Sequence, residues 1–256
     1  MALDHYFSKS FEKGIRILNL FNPDRTSLNL KDISQELGLN MTSSFRYVNT
    51  LIQLNYLKRE PNTKVLKLGS AALSMGYRLT KSFDPLQTIR PFLDGAHEMH
   101  NVSVDSALLE NDSVVRLYQR EVKGALTFHL PVVERALHCM AMGKAILAFL
   151  PEKEMMELVE SLHSIGKTKH SLTDRTDLVA DLIRTRERGY SLNNEEYVLG
   201  VISIGAPLLS LETQRPFGAI CFDFLTVQNS IETVEKKYAK IIVKLARDIS
   251  EVIVSV

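Results

Sequence analysis

Cysteine is scarce in this chain of 256 residues, which contains only Cys139 and Cys221. Two cysteines are too few for a disulfide framework, and such a composition is typical of proteins kept in a reducing cytoplasm. No pair of cysteines has the spacing of a zinc site, which excludes zinc fingers. No apolar run reaches the roughly 18 residues of a membrane span, and the N-terminal residues lack the pattern of a secretory signal. We therefore expect a cytoplasmic protein without a metal or another cofactor.

Internal repeats, low-complexity tracts and glycine- or serine-rich linkers are also absent. The chain is 45% apolar and 24% charged, values close to the averages of soluble globular proteins. This composition argues against a disordered or fibrous protein, and the length fits two domains of ordinary size.

Charge is distributed unevenly along the chain, although the net charge is only +1. Residues 1–80 carry 11 basic and 6 acidic side chains, a net charge of +5. The other 176 residues carry 20 basic and 24 acidic side chains, a net charge of −4. A small basic segment joined to a larger acidic one favours contact between the basic segment and a polyanion. An uneven solvated surface is the alternative that charge alone leaves open.

The first domain, residues 1–69, follows the order of a winged helix-turn-helix. Apolar spacing predicts a helix over residues 10–21 with Phe11 and Ile15 on its inner face, and Gly38 stands where a turn needs a positive φ. Two further helices are predicted over Leu30–Leu37 and Met41–Leu54, the second with Phe45 facing inward. A two-stranded hairpin is predicted over Tyr56–Arg59 and Val65–Leu68.

The third helix and the hairpin carry the residue types that DNA contact needs. Arginine reads guanine edges, asparagine reads adenine, and serine or threonine binds bases or phosphates in the major groove. The predicted exposed face of the helix comprises Asn40, Met41, Thr42, Ser43, Ser44, Arg46, Tyr47 and Asn49. The hairpin, where phosphate contact needs only charge, carries Lys58, Arg59, Lys64 and Lys67. We predict binding to double-stranded operator DNA; a helical bundle with a polar face and a protein-binding winged helix are the alternatives.

The rest of the chain reads as a linker helix over residues 70–82 and a second domain over residues 83–256. Strand-like runs cover residues 102–109, 114–122, 201–206 and 218–225. Helical patterns cover residues 84–99, 142–149, 151–162, 176–188 and 230–252. Helices interspersed with hairpins predict an α+β sandwich around an antiparallel sheet.

Short motifs in the second domain look chemical but lack a required member. His97 and a second histidine three residues later share a helix face, whereas the zincin pattern needs a spacing of four, so a solvated face is the better interpretation. Strand alternation places Asp223 on the same face as Cys221. A carboxylate there is either paired, at the end of the sheet in solvent, or inside a ligand pocket.

Five short sequence motifs follow one another along the chain in an order that is typical of a known protein family. Leu-Gly-Leu at residues 37–39, followed by Arg46 and by Thr-Leu at residues 50–51, is one of them, with Val48 where leucine is usual. The motifs lie within residues 37–51, 56–69, 137–145, 186–190 and 195–207. Through them the whole chain resembles the isocitrate-lyase-regulator (IclR) family of bacterial transcription factors.

That resemblance implies a winged helix-turn-helix domain, a linker helix and an effector domain like the ligand-sensing GAF fold, an α/β sandwich. It also implies a homodimer or a dimer of dimers, and a small organic acid that changes operator binding. The pocket residues that it implies are Ala141, Met142, Asn193 or Asn194, Ser203, Cys221 and Asp223. Within such a pocket we expect Asn193, Ser203 or the ligand to donate hydrogen bonds to Asp223. The family often has two aspartates at residues 193–194 and a cysteine at residue 203, so the effector of its known members does not transfer.

Residues and resemblance together predict a non-catalytic, effector-responsive transcription regulator, with repression of a catabolic operon as the expected direction. An activator of the same family is the alternative, because no residue pattern separates the two. An enzyme that uses Cys221 or Ser203 as its nucleophile is a rival interpretation, but the sequence places no base beside either side chain. Salt-sensitive binding to duplex DNA separates the regulator from the enzyme.

Overall fold

The structure is a computed structural model that describes residues 7–22, 25–61, 63–82, 84–122, 132–161 and 166–253. The chain divides into two compact units, Met1–Phe83 and Asp84–Val256. Among the described residues, no helix is long and apolar enough to cross a membrane. The same part of the chain contains no group of His, Cys, Asp or Glu side chains arranged to hold a metal ion.

The described part of the first unit combines helices with a small antiparallel sheet. Its elements are α1 (Lys9–Leu18), β1 (Ser27–Leu28), α2 (Leu30–Leu37), α3 (Met41–Gln53), β2 (Leu57–Arg59), β3 (Leu66–Leu68) and α4 (Ser70–Ser82). In the sheet, β3 lies between β1 and β2. The core beneath α1, α2, α3 and the sheet includes Ile17, Ile33, Val48, Leu57 and Leu66. The predicted winged helix-turn-helix order is confirmed.

The turn between α2 and α3 follows from the residues at the helix ends. Asn29 and Asp32 form a capping box at the start of α2, in which each side chain accepts a hydrogen bond from the other residue's backbone N–H. Gly38 ends α2 at a φ of 61°, a left-handed conformation that glycine adopts without steric cost. Asn40 then caps α3 by accepting a hydrogen bond from the Ser43 backbone N–H at 2.8 Å.

Three apolar residues of the first unit are exposed although the sequence pattern places them inward. Phe11 and Ile15 are 71% and 39% exposed, because Ile17 is the residue of α1 that enters the core. Phe45 is also exposed, and its ring centroid lies 5.8 Å from the guanidinium of Arg59, a cation–π contact. Strand β1 is missed by the sequence pattern, because two residues of strand carry no periodicity.

The second unit is built on one antiparallel sheet with the strand order β6-β5-β4-β9-β8-β7. Its helices are α5 (Asp84–His100), α6 (Ala141–Phe149), α7 (Glu152–Ser161), α8 (Arg175–Arg188) and α9 (Ile231–Val252). Its strands are β4 (Ser103–Glu110), β5 (Ser113–Arg120), β6 (Val133–Glu134), β7 (Ser191–Asn194), β8 (Val201–Leu209) and β9 (Pro216–Leu225). The short strands β6 and β7 are missed by the sequence pattern, whereas the other four agree with it to within a few residues.

Alternation along the central strands divides this sheet into two faces. Ile204 and Phe222 lie on the face that α5 and α9 cover, within a core of large apolar side chains. Ala219 and Cys221 lie on the opposite face, which α6 covers and against which α8 adds a further layer. The predicted α+β sandwich around an antiparallel sheet is therefore confirmed.

Helix α6 lies directly on β8 because residue 205 is glycine. A Cβ atom at Gly205 would lie 2.9 Å from the carbonyl carbon of Ala141, closer than real Cβ atoms approach. Ser191 Oγ donates a hydrogen bond to the carbonyl oxygen of Ala141 at 2.6 Å and fixes the same end of the helix against β7. These contacts place the N-terminus of α6 over the polar residues of the sheet.

Candidate functional sites

The N-terminal half of α3 presents exposed side chains on one face. Met41, Thr42 and Arg46 are exposed to solvent, and Ser43 is half-buried. Asn40 is exposed as well. Because its side-chain oxygen accepts the capping hydrogen bond from Ser43, its amide NH₂ group is the part that could donate to a base. These residues follow the glycine turn directly, where a helix-turn-helix presents its reading face.

Ser44 does not belong to that face. It is fully buried between α2 and α3, where its hydroxyl oxygen accepts a hydrogen bond from Ser34 Oγ at 2.8 Å. The Ser34 hydroxyl also lies 3.2 Å from the sulfur of Met41. The expectation that Ser44 is exposed is wrong, because a residue one turn after Asn40 points towards α2.

Tyr47 and Asn49 lie at the edge of the exposed face. Tyr47 is half-buried against the core of the unit, and Lys13 Nζ lies 5.9 Å from its ring centroid. Asn49 is also half-buried, and its Oδ1 accepts a hydrogen bond from the Arg59 guanidinium at 3.4 Å. Asn49 therefore connects α3 to strand β2 of the hairpin.

The hairpin formed by β2 and β3 carries the cations predicted to contact phosphate. Lys58, Arg59 and Lys64 are exposed, and Lys67 is half-buried. Glu60 lies 3.2 Å from Lys67 Nζ and 4.0 Å from Lys58 Nζ. Ion pairs as exposed as these contribute little stability, so an approaching phosphate competes for the same lysines at low cost.

A small cavity of about 20 Å³ lies between the N-terminus of α6 and the sheet, with room for about one water molecule. Six of the seven predicted effector residues line it. The complete lining consists of Met140, Ala141, Met142, Asn193, Tyr197, Val198, Val201, Ser203, Cys221 and Asp223.

Asn194 is the predicted effector residue that the cavity lacks. It is exposed, because successive residues of strand β7 point to opposite faces and Asn193 is the one that points inward. Asn193 Nδ2 donates a hydrogen bond to the carbonyl oxygen of Cys139, and its Oδ1 accepts one from the Glu196 N–H at 3.1 Å. Of the two asparagines, Asn193 is therefore the one that lines the cavity, and both its amide nitrogen and its amide oxygen form hydrogen bonds within the fold.

Asp223 and Cys221 project from β9 towards the cavity. Ser203 Oγ donates a hydrogen bond to Asp223 Oδ1 at 2.5 Å, which confirms the expected donor, and Cys221 Sγ lies 3.8 Å from each carboxylate oxygen. Burial raises the pKa of Asp223 to about 6, against the opposing effect of the Ser203 and Cys221 hydrogen bonds. Burial also raises the pKa of the Cys221 thiol well above its usual range, so the thiol stays protonated.

A second carboxylate beside Asp223 is missed by sequence reasoning. Asp105 on β4 is the register partner of Cys221 and is fully buried. Arg116 Nε lies 3.7 Å from Asp105 Oδ2. Burial, and next the charge of Asp223, raise the pKa of Asp105 well above its usual range. The available signal is an aspartate within the strand-like run of residues 102–109.

Lys144 is the second feature that sequence reasoning misses. It is fully buried in α6, with its Nζ 2.7 Å from Glu196 Oε1 and 3.0 Å from Asp181 Oδ2. Burial raises the pKa of Glu196, while the charge of Lys144 acts in the opposite direction. The cluster ties α6 to α8 and to the segment after β7, which also carries Tyr197 of the cavity.

Two family models match the chain over these regions. The model described as the IclR helix-turn-helix domain matches residues 10–61, and the model described as the bacterial transcriptional regulator IclR C-terminal domain matches residues 78–251. The chain belongs to the IclR family of bacterial transcriptional regulators. It is therefore a transcription regulator, as the sequence predicts.

Individual relatives span most of the chain. The HTH-type transcriptional regulator XynR of Escherichia coli K12 is 28% identical over 219 residues, which are 85% of this chain and 86% of that protein. The HTH-type transcriptional repressor AllR of the same strain is 26% identical over 202 residues, 78% of this chain and 74% of that protein. An IclR homologue from Microbacterium hydrocarbonoxydans, crystallised with 4-hydroxybenzoate, shares the fold at a TM-score of 0.78 and 20% identity, with 95% of this chain and 98% of that chain covered.

Proposed function

We propose that this IclR-family regulator binds operator DNA as a homodimer or a dimer of dimers in the cytoplasm, and that a small organic acid controls that binding. Residues 1–69 bind DNA, residues 70–82 link, and residues 83–256 bind the effector and a second chain. Repression is the proposed direction, supported by the relative AllR, which is a repressor. The observation that carries the proposal is one chain with an exposed helix-turn-helix face and, in its other unit, a small cavity that Ser203 and Asp223 line.

The DNA-binding part rests on α3 and the hairpin. Arg46 and Thr42 are exposed on the helix that follows the Gly38 turn, and Arg59 and Lys64 are exposed on the hairpin. Arginine reads a guanine edge with two hydrogen bonds, whereas lysine serves phosphate through charge. One such helix reads only a few base pairs, so selection of an operator needs the second half-site that two-fold pairing supplies.

The effector part rests on the N-terminus of α6. The first backbone N–H groups of a helix carry partial positive charge, and the N-cap residue Met140 supplies no side-chain acceptor for them. Ala141 and Met142 line the cavity, so a carboxylate there accepts hydrogen bonds from open N–H groups. A small organic acid, the class of ligand held by the Microbacterium hydrocarbonoxydans homologue, fits these donors.

Operator binding by the full chain tests both parts. Genomic DNA fragments that bind to the immobilised protein serve as operator candidates, and fluorescence anisotropy measures their affinity. The logarithm of the association constant should fall linearly with the logarithm of the salt concentration, because phosphate contacts release counterions. A panel of small acids should contain one that changes operator affinity by about 5- to 150-fold, and weaker binding with the acid indicates relief of repression. Affinity independent of salt contradicts the DNA-binding part, whereas a panel that leaves affinity unchanged contradicts the effector part.

A further inference from the structure

The cavity has an unusual balance of charge for a site that receives an acid. Among the described residues that line it, Asp223 is the one with an ionisable carboxylate, and no lysine, arginine or histidine is present. A ligand carboxylate therefore finds its donors at the N-terminus of α6 and must keep away from β9. The two ends of the cavity differ in the kind of group that they accept.

The hydrogen bonds around Asp223 leave acceptor capacity towards the cavity. Ser203 donates its single hydroxyl proton to Oδ1, and Asn193 donates one amide proton to the carbonyl oxygen of Cys139 while its Oδ1 accepts from the Glu196 N–H. The contact that the described residues offer to Oδ2 is the Cys221 thiol at 3.8 Å, which is a weak donor. A carboxylate can accept about four hydrogen bonds, whereas Asp223 receives one strong bond, from Ser203, and weak contacts from Cys221. Its Oδ2 can therefore accept a hydrogen bond from a ligand.

A second carboxyl group, that of Asp105, lies behind Asp223 on the neighbouring strand. Asp105 is fully buried on the neighbouring strand, and neither of its oxygens forms a hydrogen bond of normal geometry with a described side chain. The guanidinium of Arg116, at 3.7 Å from Asp105, attracts both carboxylates. An additional acceptor on the ligand at this end would place its lone pairs against those of the half-buried Asp223 carboxylate, which is unfavourable because neither group donates a proton.

We propose that the cavity selects acids that present a hydrogen-bond donor, a hydroxyl or an ammonium group, to Asp223, and that it rejects keto acids and dicarboxylates at that end. This inference rests on the proposed effector pocket and specifies the class of its ligand. The carboxylate of such a ligand binds the first N–H groups of α6, and its donor bonds to Asp223 Oδ2. A keto oxygen in the same place has no proton to give.

A matched series of three-carbon acids tests this selection on the full-length protein. Pyruvate, L-lactate and L-alanine share one skeleton and differ in the substituent at the second carbon, which is a keto, a hydroxyl or an ammonium group. We expect isothermal titration calorimetry to show that lactate or alanine binds about tenfold or more tightly than pyruvate, because a hydrogen bond to a charged group is at stake. The phenyl series (phenylpyruvate, phenyllactate and phenylalanine) repeats the comparison in a larger ligand.

The variant Asp223→Asn provides the reciprocal measurement. An asparagine amide donates through its NH₂ group, so it can bond to a keto oxygen that an aspartate repels. We expect the preference for lactate over pyruvate to disappear or reverse in this variant. Asp112→Asn, the same chemical change in the exposed turn between β4 and β5, is the control and should keep the wild-type preference.

The outcomes separate this inference from the proposed function. Binding of both series without a preference for donors, or an unchanged preference in Asp223→Asn, overturns the inference and leaves the effector pocket standing. Failure of every acid in both series to bind overturns the inference together with the effector part of the proposed function. The DNA-binding part is judged apart from either result by its salt dependence. If lactate binds more tightly than alanine, the donor that Asp223 prefers is a neutral hydroxyl, and the opposite order identifies an ammonium group. Either order supports the inference, provided that both acids bind more tightly than pyruvate.

Discussion

Arg46 is the residue of α3 at which the DNA interface is most directly tested. Its side chain is exposed, so truncation removes no packing contact within the fold. We expect Arg46→Ala to weaken operator binding by about 1–3 kcal/mol if Arg46 binds a guanine, and to change the free energy of unfolding by no more than ~0.5 kcal/mol. Fluorescence anisotropy at fixed salt measures the first quantity. Arg247→Ala, on the exposed side of α9, is the control that should bind like wild type, and an Arg46→Ala variant that also does so removes Arg46 from the interface.

Asp223 makes the free energy of unfolding depend on pH, and its raised pKa means that stability falls as the pH rises. Its pKa rises from 3.8 to about 6 on folding, so the folded chain holds a proton more readily than the unfolded chain between these values. The ionised carboxylate therefore lowers stability above about pH 6, and this cost vanishes below about pH 4. Asp105, Arg116 and Cys221 face the same group, so they are left unchanged in the comparison.

We expect Asp223→Asn to stabilise the protein at pH 8 by up to about 3 kcal/mol, at about 1.4 kcal/mol for each pKa unit. The gain should shrink as the pH falls through 6 towards 4, where wild-type Asp223 is protonated as well. Urea unfolding at several pH values measures the difference. Asp112→Asn should show no such trend, and a gain for Asp223→Asn that is equal at pH 5 and pH 8 would contradict the burial of an ionised group.

At the level of elements, Lys144 holds α6 to α8 and to the segment after β7. Removal of one member of a buried ion pair leaves the other charge without compensation, which costs about 3–5 kcal/mol. We therefore expect Lys144→Met to lower the free energy of unfolding by this amount in urea titrations. Lys153→Met breaks the highly exposed pair with Glu157 on α7 and should cost at most about 1 kcal/mol. Equal losses in the two variants would show that the buried cluster contributes no more than a surface pair.

The elements predictable from the sequence are those that a few adjacent residues determine. Helix α2 and its end at Gly38 follow from an N-cap asparagine, an apolar stripe and a left-handed glycine. Ser44 and Phe11 were misplaced, because the stripe of a short helix that faces inward depends on neighbours distant in sequence. The resemblance to a family supplied the cavity residues of α6, β8 and β9. Asp105 and the partners of Lys144 were missed, because strand register and helix packing bring together segments of chain that share no local pattern.

The whole molecule is expected to assemble as a symmetric dimer at least. Its first unit exposes large apolar side chains, including Phe11 at 71% and Leu73 at 79%, and surfaces of this kind are commonly covered by another chain. Sedimentation velocity at micromolar concentration should show a dimer or a tetramer. The operator footprint should be pseudo-palindromic, with half-sites about 34 Å or a multiple of that apart. A monomer both with and without operator contradicts the assembly.

The small volume of the cavity beneath α6 predicts the order of the steps by which the proposed ligand binds. Its volume of about 20 Å³ holds one water molecule, and even a three-carbon acid is several times larger. For the proposed acid to enter, side chains such as Met140, Met142 and Tyr197 have to move aside, and we expect this opening to precede association. In stopped-flow experiments the observed rate should rise with ligand concentration and then level off at the opening rate. The chain contains no tryptophan, so tyrosine emission, with Tyr197 at the cavity wall, reports the step. An observed rate that stays linear in ligand concentration would show that no opening step limits binding.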